Sequence, residues 1–162
     1  MTGPASEGAF PAAGHPPLVP PLAEHGALAM DEREMRDWGR RFGKSAHAPL
    51  VVVIHGEIGA GKTTLVQAIC EGYGVDEEVT SPTFALVHHY HGEGITLYHV
   101  DAYRLRPGDD ARDLGFEEML ADPRGVVMVE WPERVGAALP PLDQRITLAY
   151  TDTDGVRRLE LA

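Results

Sequence analysis

The chain has 162 residues, 43% hydrophobic and 24% charged, the make-up of a globular protein with a core of useful size. Its 14 Lys and Arg stand against 25 Asp and Glu, a net charge of −11 that repels nucleic acid in bulk; if RNA is involved, another component holds most of it. No apolar run approaches the ~18 residues of a membrane span, no basic region followed by an apolar core opens the chain, and the single cysteine, Cys70, excludes an intramolecular disulfide, so the expected compartment is the cytoplasm.

Residues 1–22 are rich in Pro, Ala and Gly with few large apolar side chains, and we expect a disordered tail. Residues 23–162 then form one domain. A short strand is expected near Gly26, Ala27, Leu28 and Ala29. Asp31 is a helix N-cap candidate, with Glu34 completing a capping box. Met35, Trp38 and Phe42 mark the apolar stripe of the helix that follows, and Gly43 reads as its stop.

Leu50, Val51, Val52, Val53 and Ile54 form a continuous apolar run, the pattern of a strand buried on both faces. Gly56, Glu57, Ile58, Gly59, Ala60, Gly61, Lys62 and Thr63 follow, a complete match to the phosphate-loop pattern G-x-x-x-x-G-K-[ST]. At ordinary residue usage the pattern arises by chance at roughly one position in 30,000. Leu65, Val66, Ile69, Cys70 and Tyr73 recur at helical spacing, with Gly72 and Gly74 as stop signals. Strand, glycine loop and helix is the context that the pattern needs. Glycines at 56, 59 and 61 allow backbone angles that other residues avoid, so successive N–H groups point at one anion. The helix start near Lys62 adds free donors and a positive dipole end. Lys62 is placed to reach the β- and γ-phosphates, and the Thr63 hydroxyl to ligate Mg²⁺. Cys70, on an apolar helix face, reads as a small core residue.

Residues 75–83 lack periodicity and contain Pro82, which predicts a loop near the phosphates. Residues 84–90 read as a strand, 91–94 as a turn and 95–101 as a returning strand. His88, His89, His91 and His99 fall in this hairpin, but alternating positions point to opposite faces, so no metal site is expected from them. Residues 109–121 predict a short helix carrying Leu114, Glu118 and Leu120. Val126, Val127, Met128 and Val129 form another buried strand, ending at Glu130. Residues 146–150 and 156–161 predict a terminal hairpin.

Two apolar strands therefore end in acids, at Asp101 and at Glu130, where open α/β sheets place their ligands. A phosphate loop needs such an acid to hold Mg²⁺, directly or through water. Ser81 and Thr83 lie in the interval where switch-type nucleotidases carry a γ-phosphate-sensing hydroxyl. The fold class is α/β: a three-layer, P-loop NTPase-like fold with a mixed central sheet, antiparallel hairpins and few helices.

Residues 56–64 (GEIGAGKTT), 81–84 (SPTF), 98–105 (YHVDAYRL), Leu114 with Gly115, and 129–134 (VEWPER) occur in the order seen in the TsaE family, which this chain resembles over about residues 26–150. The resemblance implies an ATP- and Mg²⁺-dependent ATPase of tRNA threonylcarbamoyladenosine (t6A) modification. It implies TsaB and TsaD homologues as protein partners, ATP hydrolysis that resets their complex, and tRNA contact only through that complex. It also implies roles. Residues 56–64 grip the nucleotide, with Lys62 and Thr63 on phosphate and Mg²⁺ and Thr64 near the α-phosphate. Asp101 and Glu130 act in metal binding and hydrolysis, in an order left open, and Thr83 is the switch hydroxyl. Trp131 is a functional aromatic beside Glu130, or a core anchor. Tyr103 and Arg104 match motif positions that serve partner contact or an ion pair. The chain departs from the family pattern at His88 and His89, where Asn-Glu is frequent, and at Met35, where a threonine near the base is common.

Three other readings stand beside this one. A non-hydrolysing protein-binding module keeps ATP as a structural ligand, and the intact Lys62, Thr63, Asp101 and Glu130 argue against it. A P-loop small-molecule kinase requires an acceptor pocket and an arginine-bearing lid, and only Arg104 and Arg106 lie close together after the loop. A GTP switch uses an Asn-Lys-x-Asp loop, and the chain contains no asparagine.

Overall fold

The computed structural model describes residues 27–80, 86–106 and 109–162. The expected tail at 1–22, and Ser81 and Thr83 of the expected switch segment, lie outside the described residues.

A seven-stranded sheet organises the chain. In chain order the elements are β1 (Ala27–Asp31), α1 (Glu32–Ser45), β2 (Leu50–His55), α2 (Lys62–Gly72), β3 (Val87–His91) and β4 (Thr96–Asp101). They continue with α3 (Phe116–Ala121), β5 (Gly125–Glu130), β6 (Gln144–Tyr150) and β7 (Val156–Leu161). The spatial order is β1-β7-β6-β2-β5-β4-β3. The inner four, β6, β2, β5 and β4, run parallel, and antiparallel strands close both edges. This is the expected mixed sheet. β2 and β5 are buried almost throughout, as continuous apolar strands in the centre of a covered sheet must be.

Alternation along these strands builds two cores. Val52, Ile54, Met128 and Leu97 face α1 and α2, while Val51, Val53, Val127, Val129 and Val100 face Phe116 and Met119 of α3. The result is three layers, with the helices split across the sheet's two faces.

α1 starts where the sequence predicts. The Asp31 side chain accepts a hydrogen bond from Glu34 N, and the Glu34 side chain accepts one from Asp31 N. Its end differs from the expectation. The helix runs on through Gly43 to Ser45, because Gly43 serves close packing. A Cβ there stands 2.2 Å from Ile69 O, one on Gly72 stands 2.2 Å from Arg40 O, and one on Gly39 stands 2.7 Å from Ala68 Cβ. The two helices meet backbone to backbone along this seam. Gly74, at φ +84°, provides the turn after α2. Cys70 is fully buried in the same layer, and burial pushes its thiol up to about 12, consistent with a packing role.

Residues 109–121 also differ from expectation. A 3₁₀ turn at Ala111–Leu114 precedes α3, and Gly115, at φ +85°, separates them. Phe116 and Met119 carry the packing, and Leu120 is exposed. The terminal hairpin of β6 and β7 forms as expected.

Candidate functional site

The loop between β2 and α2 is shaped by three kinds of constraint. Gly59 and Gly61 have φ of +80° and +103°, the left-handed region that favours glycine. Gly56 is required for a different reason than backbone angle: a Cβ there stands 2.9 Å from Leu148 O of the adjacent strand. Ala60 is fully buried beneath the loop, and its N–H donates to Glu57 O at 3.0 Å. The C-terminal hairpin braces the loop's outer side. Tyr150 Oη donates to Ile58 O at 2.6 Å, and Arg157 Nη2 donates to Gly59 O at 3.4 Å. The Arg157 guanidinium lies over the Tyr150 ring, 4.4 Å from its centroid. Neither residue carries a sequence motif. Both are brought to the loop by pairing between β6, β7 and β2.

A cleft of about 460 Å³ opens over the loop, lined by Ile58, Gly59, Gly61, Lys62, Thr63, Thr64, Asp101, Tyr103, Glu130 and Trp131. Its size lies within the roughly 300–1,000 Å³ of small-molecule pockets. Of the residues expected at a nucleotide site, those from Gly59 to Thr64 apart from Ala60, together with Ile58, Asp101, Glu130 and Trp131, line it. Gly56 and Glu57 act through their carbonyl groups. Lys62 Nζ donates to Gly56 O at 2.6 Å and to Glu57 O at 2.8 Å. Thr83 lies outside the described residues.

The acids are placed by register. Asp101 and Glu130 end β4 and β5 and are direct partners across that parallel pair. Both share the parity of Leu97 and Met128, so they project toward the α1 and α2 face. Thr63 Oγ1 faces Glu130, 3.4 and 3.5 Å from its two oxygens, too far for a strong hydrogen bond. Tyr103 N donates to Asp101 Oδ1 at 3.0 Å. A hydroxyl and two carboxylates are the hard oxygen donors that Mg²⁺ takes, so the donor set fits that ion.

Lys62 is buried at 5% exposure. Burial holds its ammonium below the usual lysine range, while Glu130, Asp101, Glu133 and Glu57 act in the opposite direction. Its Nζ lies 4.4 Å from the centroid of the Trp131 ring. Trp131 has φ 56° and ψ 50°, the only non-glycine residue of positive φ among the described residues. That turn carries the chain from β5 directly into a 3₁₀ turn at Pro132–Arg134. The ring is half-buried against the α3-side core and also lines the cleft, so anchor and site wall are one side chain. Tyr103 packs on it at 5.0 Å, and Arg134 lies 5.0 Å from the Tyr103 ring and 5.6 Å from Trp131. Arg134 Nη1 also donates to Tyr103 O at 2.8 Å.

The hairpin histidines separate. His88 Nδ1 pairs with Tyr90 Oη at 3.0 Å, and His89 stands edge-on to Tyr98. His99 lies fully buried beneath the strand ends, with Nε2 2.5 Å from Glu130 Oε2. The sequence places His99 in the hairpin cluster and within the 98–105 motif but gives it no role of its own. Its place two residues before Asp101, on the same face, was the available signal.

Known proteins match this chain consistently in sequence and in fold. The family model described as Threonylcarbamoyl adenosine biosynthesis protein TsaE matches residues 29–159. A protein of Treponema pallidum is 42% identical over 125 residues, covering 77% of this chain and 90% of the relative. One of Streptomyces coelicolor is 49% identical over 131 residues, covering 77% and 87%. Both are called tRNA threonylcarbamoyladenosine biosynthesis protein TsaE. The crystal structure of YdiB from Bacillus subtilis superimposes with a TM-score of 0.68 at 25% identity, over 83% of this chain and 84% of that one.

Proposed function

Since the chain belongs to the TsaE family and so has a role in t6A modification of tRNA, we propose that it serves there as a Mg²⁺-dependent ATPase. The observation that carries this reading is the arrangement around α2. A glycine loop, Lys62 and Thr63 open the helix, and Asp101 and Glu130 end adjacent strands on the same face of the sheet.

In this reading loop N–H groups and the first turn of α2 bind the phosphates, where the helix dipole favours negative charge. Lys62 leaves the Gly56 and Glu57 carbonyl groups and Trp131 to meet the β- and γ-phosphates. Thr63 and one or both acids hold Mg²⁺, which when bound neutralises charge on the phosphate oxygens. An acid that does not hold the ion orients the attacking water. Thr64, which lines the cleft, meets the α-phosphate region, and Thr83 is the hydroxyl that responds to the γ-phosphate. Catalysis of this kind rests on positioning and charge stabilisation. We further propose that residues 23–162 work as one domain in the cytoplasm, that TsaB and TsaD homologues are the partners, and that tRNA is met through their complex.

Phosphate release from ATP tests the reading, measured for the chain alone and with the TsaB–TsaD pair. Slow release that the pair accelerates is expected, with Lys62→Ala lowering it by about 100-fold or more. Equal release by Lys62→Ala overturns it, and phosphate found on a small-molecule acceptor rather than in water replaces hydrolysis with kinase chemistry.

A further inference from the structure

A histidine in the middle of a sheet core is costly unless its nitrogens find partners. His99 is fully buried, on the same face of β4 as Leu97, which is also fully buried and apolar. Its Nε2 meets Glu130 Oε2, and among the described residues its Nδ1 has no partner. The tautomer that suits this places the hydrogen on Nε2, where the carboxylate accepts it, and leaves Nδ1 as a lone pair. An apolar side chain of similar size fills the same space without an unpartnered nitrogen but takes the donor away from the buried Glu130 Oε2, so the histidine is explained by Glu130 rather than by packing. Among the described residues, the polar contact of the His99 side chain is with Glu130.

Glu130 is itself buried, at 2% exposure, and has three rotatable side-chain bonds. His99 holds Oε2, and Thr63 Oγ1 stands on the cleft side of the carboxylate, 3.4 Å from Oε1 and 3.5 Å from Oε2. We infer that His99 is a positioning residue: by holding Oε2 from inside the sheet it fixes the Glu130 carboxylate in the orientation that faces Thr63 Oγ1 across the cleft. Outer-shell donors of this kind orient metal-binding carboxylates, and their loss typically costs about 10–100-fold in metal affinity. The inference rests on the reading of Glu130 as a cation-binding acid.

The test is binding of a fluorescent ATP analogue in EDTA and in Mg²⁺, with the Mg²⁺-dependent gain in affinity as the readout and a thermal melt alongside. His99→Leu is expected to bind in EDTA as the wild type does and to lose about tenfold or more of the Mg²⁺ gain. His99→Gln, whose terminal amide donor reaches the Nε2 position, is expected to keep most of it. Should the leucine variant fail to fold, His99→Asn, a polar side chain too short to reach Glu130, is expected to lose the gain in its place. A full Mg²⁺ gain in His99→Leu, or a glutamine variant as impaired as the leucine one, overturns the inference. Glu130→Gln separates the two levels. If it abolishes the gain while His99→Leu keeps it, the positioning role alone falls. If Glu130→Gln keeps the gain, the metal reading falls and the inference with it.

Discussion

A bulky residue in the left-handed region costs of order 1–3 kcal/mol, and such residues persist where their surroundings fix them and where function uses them. Trp131 is in that position, and its ring lies under the Lys62 ammonium. The chain has two tryptophans, and the other, Trp38, is buried in α1 away from the cleft lining. If phosphate draws Lys62 off the ring, intrinsic emission changes when ATP and Mg²⁺ are added. The change is expected to vanish in Trp131→Phe while the emission of Trp38 remains, and a Trp131→Phe chain that keeps the full response refutes the movement. At this scale the sequence was legible in picking out Lys62, Thr63, Asp101 and Glu130, which the fold brings to one cleft. It was silent on Trp131's backbone angle and on the tie between His99 and Glu130, because both depend on which strand lies beside which.

Between α1 and α2 the glycines decide the distance. Alanine is a better helix former than glycine by about 1 kcal/mol, so Gly43→Ala on an isolated helix is stabilising. Here the added methyl meets Ile69 O at 2.2 Å, and neither partner is a flexible side chain. We expect Gly43→Ala to destabilise the fold by about 2 kcal/mol or more, as overpacking does, read as a lower urea midpoint. An unchanged or raised midpoint means that the seam is looser than its distances indicate. A glycine in a helical pattern has two meanings, stop or close approach, and a one-dimensional pattern does not separate them. The pattern therefore predicts a stop at Gly43, while the helix runs to Ser45. Gly115 shows the reverse case, a break of positive φ inside a stretch that reads as one short helix.

Across the molecule, the parallel centre was legible because strands covered on both faces must be continuously apolar, as β2 and β5 are. The strand order was not, since β6 reaches its place beside β2 after a gap of many residues. The charge of −11 also acts at this scale. Binding to tRNA draws on cationic contacts to phosphate, so the chain by itself is expected to leave tRNA unshifted in a gel at physiological salt. A shift with the isolated chain at micromolar concentration contradicts that. The brace on the phosphate loop bears on synthesis. Tyr150 and Arg157 stand 92 and 98 residues downstream of the carbonyl groups that they hold. A nascent chain released from the ribosome tunnel only as far as α2 already carries every residue of the glycine motif, yet lacks the side chains that steady it. The brace is therefore complete only once the last hairpin is made, and a truncated product that stops before it keeps the signature while lacking that support.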